Sequence, residues 1–118
     1  MLFDPAFFQD LSPTRATAVF PASWPLFAGH FPAPGQPVVP AYALVGLVLA
    51  HAEQALATPL SLTRIERMKL ARSAGPGEPI TCELEPLAPQ DGVVTVRSRL
   101  SVSGSEVGTV SLLARVGA

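Results

Sequence analysis

Between Pro40 and the pair Thr58-Pro59 the chain reads AYALVGLVLAHAEQALA. This run constrains the fold more than any other feature. Apolar residues fill nearly every position to Ala50, so no polar face is left to meet water, and a helix apolar all round is a buried helix. Pro40 suits the first helical position, where its missing N–H would lack a partner anyway. A residue before proline avoids helical torsions, so the helix ends near Ala57. The sequence therefore predicts one buried helix over Pro40–Ala57, and the rest of the chain must supply its cover.

That cover reads as strand. Thr14 to Phe20 is a short first strand, and Leu62 to Ala71 is strand-like before the turn Gly75-Pro76-Gly77. Ile80, Cys82 and Leu84 share one face of the next segment, with Thr81, Glu83 and Glu85 on the other. Asp91-Gly92 marks a hairpin turn. Val94, Val96, Leu100 and Val102 then alternate with Thr95, Arg97, Arg99 and Ser101. After Ser103-Gly104, Val110, Leu112, Ala114 and Val116 form the last inward face. The expectation is an α+β fold: an antiparallel sheet of about five to six strands with one long helix packed on one face, in a single domain over 1–118.

Composition narrows the function. The chain is 48% hydrophobic and 14% charged, which argues against disorder and for apolar surface covered by another subunit or an apolar ligand. Net charge is −1 and Lys69 is the only lysine, so no basic stripe exists to neutralise a nucleic-acid backbone. One cysteine and two histidines give no zinc spacing, and neither a metal nor a cofactor is expected. Cys82 alternates with apolar neighbours and reads as a small core residue. Asp4 and Asp10 interrupt the apolar N-terminus, so no signal peptide is expected. The Ala41–Ala50 run is too short to span a bilayer, and a cytoplasmic location follows by default.

One loop stands out. Phe27-Ala28-Gly29-His30-Phe31-Pro32-Ala33-Pro34-Gly35-Gln36-Pro37-Val38-Val39-Pro40 is rigid, apolar, and carries a single histidine straight into the helix. Here the chain resembles the hotdog-fold 3-hydroxyacyl-(acyl carrier protein) dehydratases, over most of its length. Trp24-Pro25-Leu26-Phe27 and Gly29-His30-Phe31-Pro32 match the family's lead-in and motif. Pro37-Val38-Val39-Pro40 matches the segment opening its central helix, and Arg67-Met68-Lys69-Leu70 with Gly75-Pro76-Gly77-Glu78-Pro79-Ile80 matches a later block.

The resemblance implies a hotdog: a curved sheet around a helix, two subunits paired edge to edge, and an acyl tunnel at their interface. It implies that His30 is the general base on the substrate's α-carbon, kept neutral by an apolar wall. Phe27, Gly29, Phe31, Val39, Ala41, Tyr42 and Gly46 would line the acyl site. A backbone N–H at the helix start would hold the thioester carbonyl. The partners implied are an acyl carrier protein and a second hotdog chain, as homodimer or heterodimer, in fatty-acid, polyketide or polyene-type biosynthesis.

The helix departs from the family. The position of the catalytic carboxylate falls on Gly46, and that of a glutamine on Ala50. A glycine inside a helix costs about 1 kcal/mol relative to alanine, so something needs the space. No Asp or Glu occurs before Glu53, which lies on the same face roughly 10 Å further along. Glu53 reads as a solvated or capping residue, with a substitute acid as its other reading. His51 reads as a surface or interface residue unless functional, and Tyr42 as tunnel lining unless it donates a proton. Three readings stay open: half of a mixed hotdog dimer whose acid comes from the other chain, a homodimer with altered chemistry such as a thioesterase, or a non-catalytic acyl-binding scaffold.

Overall fold

The computed structural model describes residues 5–24, 27 and 37–117. After a 3₁₀ turn at Pro5–Phe7, the elements are β1 (Phe8–Leu11), β2 (Arg15–Val19), α1 (Ala41–Leu56), β3 (Leu60–Leu70), β4 (Pro79–Leu84), β5 (Val93–Val102) and β6 (Ser105–Val116). The six strands form one antiparallel sheet in the order β1-β2-β4-β5-β6-β3. One helix lies against it, as expected.

The helix starts and stops where its sequence says. Pro40 is the N-cap, with extended torsions, and its carbonyl accepts the N–H of Ala43 at 3.0 Å. Ala57 ends the helix in the left-handed region at φ 53°. That conformation strains a residue with a Cβ. It lets the Ala57 and Thr58 N–H groups cap the carbonyls of Gln54 and Glu53.

The strands alternate as read. On β4 the buried residues are Ile80, Cys82 and Leu84; on β5 they are Val94, Val96, Ser98, Leu100 and Val102. With Val110, Leu112 and Ala114 of β6 they form the floor on which Leu44, Leu47 and Val48 of α1 lie, all fully or almost fully buried. The hairpin β5–β6 turns through Ser103 and Gly104, with φ of 49° and 81°. Asp91 and Gly92 do the same before β5, at 54° and 75°. Positive φ at both central positions is the two-residue turn whose twist matches paired strands.

Two features differ from the sequence reading. β1 was not expected. It is a four-residue strand with only Phe8 buried, so it shows no alternation. The helix is also not buried all round. Ala41 and Tyr42 are exposed, and Gly46, Leu49 and Glu53 are half-buried. Tyr42, Gly46, Leu49 and Glu53 share one stripe at helical spacing, so α1 keeps one open face.

Candidate active site

The site expected from sequence centres on the segment between Phe20 and α1. Gly29, His30 and Phe31 lie outside the described residues, but the frame that holds the segment is visible. The β3–β4 connection, residues 71–78, grips it on both sides. Upstream, the Gly77 N–H donates to the Phe20 carbonyl at 3.0 Å. Downstream, the Val39 N–H donates to the Ala74 carbonyl at 2.7 Å. The connection is itself braced. Glu78 accepts the Gly75 N–H through Oε1 at 2.7 Å and pairs with Arg72 at 3.1 Å. A Cβ on Gly75 would sit 3.6 Å from the Pro37 carbonyl, which brings the two backbones close. Sequence reasoning took Gly75-Pro76-Gly77 as a plain turn; it is a clamp on both flanks of the motif.

Aromatic rings brace the upstream flank. Phe7 stacks on Trp24 with centroids 5.0 Å apart and meets Phe20 edge-on at 5.2 Å. Trp24 meets Phe20 edge-on at 5.8 Å. Such pairs contribute about 0.5–1.5 kcal/mol each beyond their burial. Phe27 is buried beside them in sequence, and its N–H donates to the Trp24 carbonyl at 3.1 Å.

Of the other expected lining residues, Val39 is buried, Ala41 and Tyr42 are exposed at the helix start, and Gly46 is half-buried one turn on from Tyr42. The first-turn N–H groups of α1 lie at the positive end of the helix dipole, where they favour an oxyanion. The open stripe through Tyr42 and Gly46 thus starts at an anion-stabilising end and continues over a position without a side chain.

His51 and Glu53 need separate accounts. The expectation of a surface or interface position for His51 is wrong: its ring is fully buried. Nε2 lies 2.8 Å from the Ser12 carbonyl, so Nε2 carries the hydrogen and donates it. Phe8 sits beside the ring at 6.4 Å. Burial pushes the imidazole pKa below its ordinary value, partly offset by the Ser12 carbonyl. The ring fastens the β1–β2 turn to α1, a tertiary contact that no local pattern in the sequence announces. Glu53 is a cap. Its Oε2 accepts the Leu60 N–H at 2.9 Å and ties the end of α1 to the start of β3. This engagement counts against Glu53 as the missing acid.

Elsewhere, Cys82 is buried and its thiol is pushed up to about 12 by burial, only partly offset by the Ser98 hydroxyl. It is a core residue, as read. A concavity of about 700 Å³ lies on the sheet, with Arg67, Glu83, Glu85, Arg97 and Arg99 in its wall and no residue of α1. Among the described residues no group of His, Cys, Asp or Glu is arranged to hold a metal. No helix among them is long and apolar enough to cross a membrane.

Comparison with known proteins places the chain. The ApeI-like family, described as ApeI dehydratase, matches residues 9–105. The chain superposes on a chain of the dehydratase heterocomplex ApeI:P from Xenorhabdus doucetiae with a TM-score of 0.72 at 19% identity, over 92% of this chain and 93% of that one. It superposes on a hypothetical thioesterase protein with coenzyme A from Streptococcus pneumoniae at 0.67 and 9% identity, over 92% and 83%. A mutant of the fluoroacetyl-CoA-specific thioesterase FlK gives 0.64 at 20% identity, over 87% and 83%. No curated protein matches. At these identities the structural likeness establishes the hotdog fold alone.

Proposed function

Because the chain belongs to the ApeI-like dehydratase family, we propose that it is a dehydratase subunit acting on 3-hydroxyacyl thioesters of an acyl carrier protein, in fatty-acid, polyketide or polyene-type biosynthesis in the cytoplasm. The observation that carries this reading is Gly29-His30-Phe31-Pro32 directly upstream of a helix whose open stripe passes through Gly46. His30 takes the α-proton as a neutral base. The thioester carbonyl oxygen rests on first-turn N–H groups of α1 while negative charge develops there. The C–O bond at the β-carbon breaks, and the hydroxyl leaves as water with a proton from an acid. The product is the 2-enoyl thioester.

The acid comes from a different hotdog chain. Gly46 supplies none, Glu53 is tied through Oε2 to the Leu60 N–H, and α1 has no other carboxylate. Tyr42 is exposed at the helix start and lines the substrate's path. A site built from two chains accommodates a missing acid in one of them, which favours the mixed dimer over a thioesterase that also needs a helix carboxylate.

The experiment compares 3-hydroxyacyl-carrier-protein dehydration by the chain alone, by the chain with a candidate hotdog partner, and by the mixture containing His30→Ala. A positioned acid or base contributes about 10²–10⁴-fold. The chain alone is expected to turn over that much more slowly than the mixture, and His30→Ala is expected to abolish the gain. A mixture indifferent to His30→Ala makes this chain a scaffold. Slow release of free acid from an acyl thioester identifies a thioesterase instead.

A further inference from the structure

The face of the sheet opposite α1 concentrates the positive charge of the chain. Of its 8 Lys and Arg residues, all but Arg72 stand there, beside or opposite residues that alternate with the buried face. Six outward residues form two regular rows over β5, β6 and β3. Arg97 stands opposite Ser111, and Ser111 opposite Arg67. Two residues along, Arg99 stands opposite Thr109, and Thr109 opposite Lys69. Val110, between the rows on β6, is buried on the inner side, so both rows point outward. The register shifts of β3 fall before Arg67, and the shift between β5 and β6 falls after Leu100. The block of six is therefore undistorted.

The four cations occupy the corners of this block, and the two hydroxyls lie between them. Neighbouring strands are about 4.8 Å apart, so the cations of β5 and β3 stand about 10 Å apart at the backbone. The two rows are about 7 Å apart along the strands. Long side chains from both flanks can therefore reach one group lying over β6. Among the described residues the ion pairs are Arg64–Glu66, Arg72–Glu78 and Arg99–Glu106. Arg67, Lys69 and Arg97 thus have no carboxylate partner, and Arg99 has a loose one at 3.6 Å. The concavity of about 700 Å³ opens over this block, with Arg67, Arg97, Arg99, Thr109 and Ser111 in its wall. Its β4 side has the opposite sign. Glu83 stands opposite Arg99, and the Glu85 N–H donates to the Arg97 carbonyl at 3.0 Å. Glu66, already paired with Arg64, closes the β3 end.

We infer that this outward face binds a small phosphate ester of the nucleoside diphosphate kind, with its diphosphate over β6. Arg67 and Arg97 donate to phosphate oxygens in one row, and Arg99 and Lys69 in the other. The Ser111 and Thr109 hydroxyls donate between them. A guanidinium suits this task, because its planar fork meets two phosphate oxygens at once. One phosphate would engage a single row, whereas two linked phosphates engage both. The rest of the ligand extends over β5 towards β4, where Glu83 and Glu85 accept from its hydroxyl or amino groups. The same carboxylates repel a phosphate, which fixes the direction in which the ligand lies. The concavity falls within the range of about 300–1,000 Å³ usual for small-molecule sites. This inference goes beyond the dehydratase reading and does not depend on it, since the sheet lies between this face and α1.

The test titrates the full chain by calorimetry at low salt with ADP, inorganic diphosphate, inorganic phosphate and adenosine. ADP is expected to bind once per chain, diphosphate more tightly than phosphate, and adenosine not at all. Arg67→Ala and Arg97→Ala are each expected to weaken ADP by roughly tenfold or more. Arg97→Lys keeps the charge but loses the fork, and is expected to fall between the parent and Arg97→Ala. Glu83→Gln combined with Glu85→Gln is expected to weaken ADP and strengthen diphosphate. Arg115→Ala is the control. Arg115 is exposed on the same face but lies outside the block, opposite Val93 and Ser61, and its loss is expected to leave ADP affinity unchanged. All the side chains replaced are exposed, so the core is left intact. Absence of ADP and diphosphate binding at millimolar concentration overturns the inference, as does adenosine binding as well as ADP. An Arg115→Ala effect equal to that of Arg97→Ala overturns it too, because it would show a diffuse positive surface. His30→Ala is expected to leave ADP binding unchanged while abolishing dehydration, so the two readings fail separately.

Discussion

His51 makes the stability of this fold depend on pH. The ring is buried, donates Nε2–H to the Ser12 carbonyl, and leaves Nδ1 without a partner. Protonation would place a second N–H at Nδ1 with nothing to accept it, in surroundings that already push the pKa down through burial. The folded state therefore holds the neutral ring, while the unfolded chain binds a proton near pH 6.5. With the folded value depressed, the stabilisation is fully present above the unfolded value and is lost as pH falls towards the folded one. At pH 5.5 the unfolded chain gains up to about 1.4 kcal/mol from this one site. The perturbation is His51→Gln, whose amide can donate to Ser12 without titrating. The assay is urea unfolding at pH 7.5 and 5.5, in a His30→Ala background so that the other histidine does not contribute. The parent is expected to lose about 1 kcal/mol more than the variant between the two pH values. At urea slopes of about 1–3 kcal/mol per M, this moves the midpoint by several tenths of a molar. Equal losses in parent and variant would refute the argument.

Gly108→Ala places a Cβ against the Lys69 carbonyl oxygen and only 3.0 Å from Leu70 Cα. Neither is a flexible side-chain end, so β3 must shift away from β6, and thermal or urea unfolding is expected to show a loss of about 1–3 kcal/mol. Cys82 is expected to resist a thiol reagent at pH 8 in the native state and to react fully on unfolding, since it is buried and its pKa is pushed up to about 12.

The sequence made the helix and most strands legible, for identifiable reasons. α1 was bounded by Pro40 and by Thr58-Pro59, and its observed limits differ from the expected Pro40–Ala57 by one residue at each end. β4, β5 and β6 alternate cleanly because one face is core and the other is water. β1 escaped because Phe8 is its only buried residue. β3 was legible as a strand, but its faces were not. Two bulges break the period of two within TRIERM, and only the register with β6 shows which residues share a side. The candidate site divides in the same way. Glu53 was read as a solvated or capping residue; its bond to the Leu60 N–H, across the turn into β3, was not foreseen. The burial of His51 depends on the β1–β2 turn folding over the helix, and the clamp by residues 71–78 depends on contacts between distant segments.

The strand order has a consequence for how the chain acquires its structure. β5 and β6 are joined by the Ser103-Gly104 turn and can pair as soon as both exist. β4 then adds to β5 across the short connection between them, and β3 adds to β6 on the other side, with β4 and β5 lying between these two strands in sequence. β2 cannot pair with β4 until the whole stretch containing the motif segment, α1 and β3 has been looped out, and closing a loop is an entropic cost met before its contacts form. The C-terminal hairpin is thus the kinetic seed of the domain and β2 its late addition. Truncating Val96 and Leu112 to alanine should slow folding, whereas Ala16→Gly should mainly speed unfolding. The reverse pattern in a denaturant chevron would show that the N-terminal strands lead.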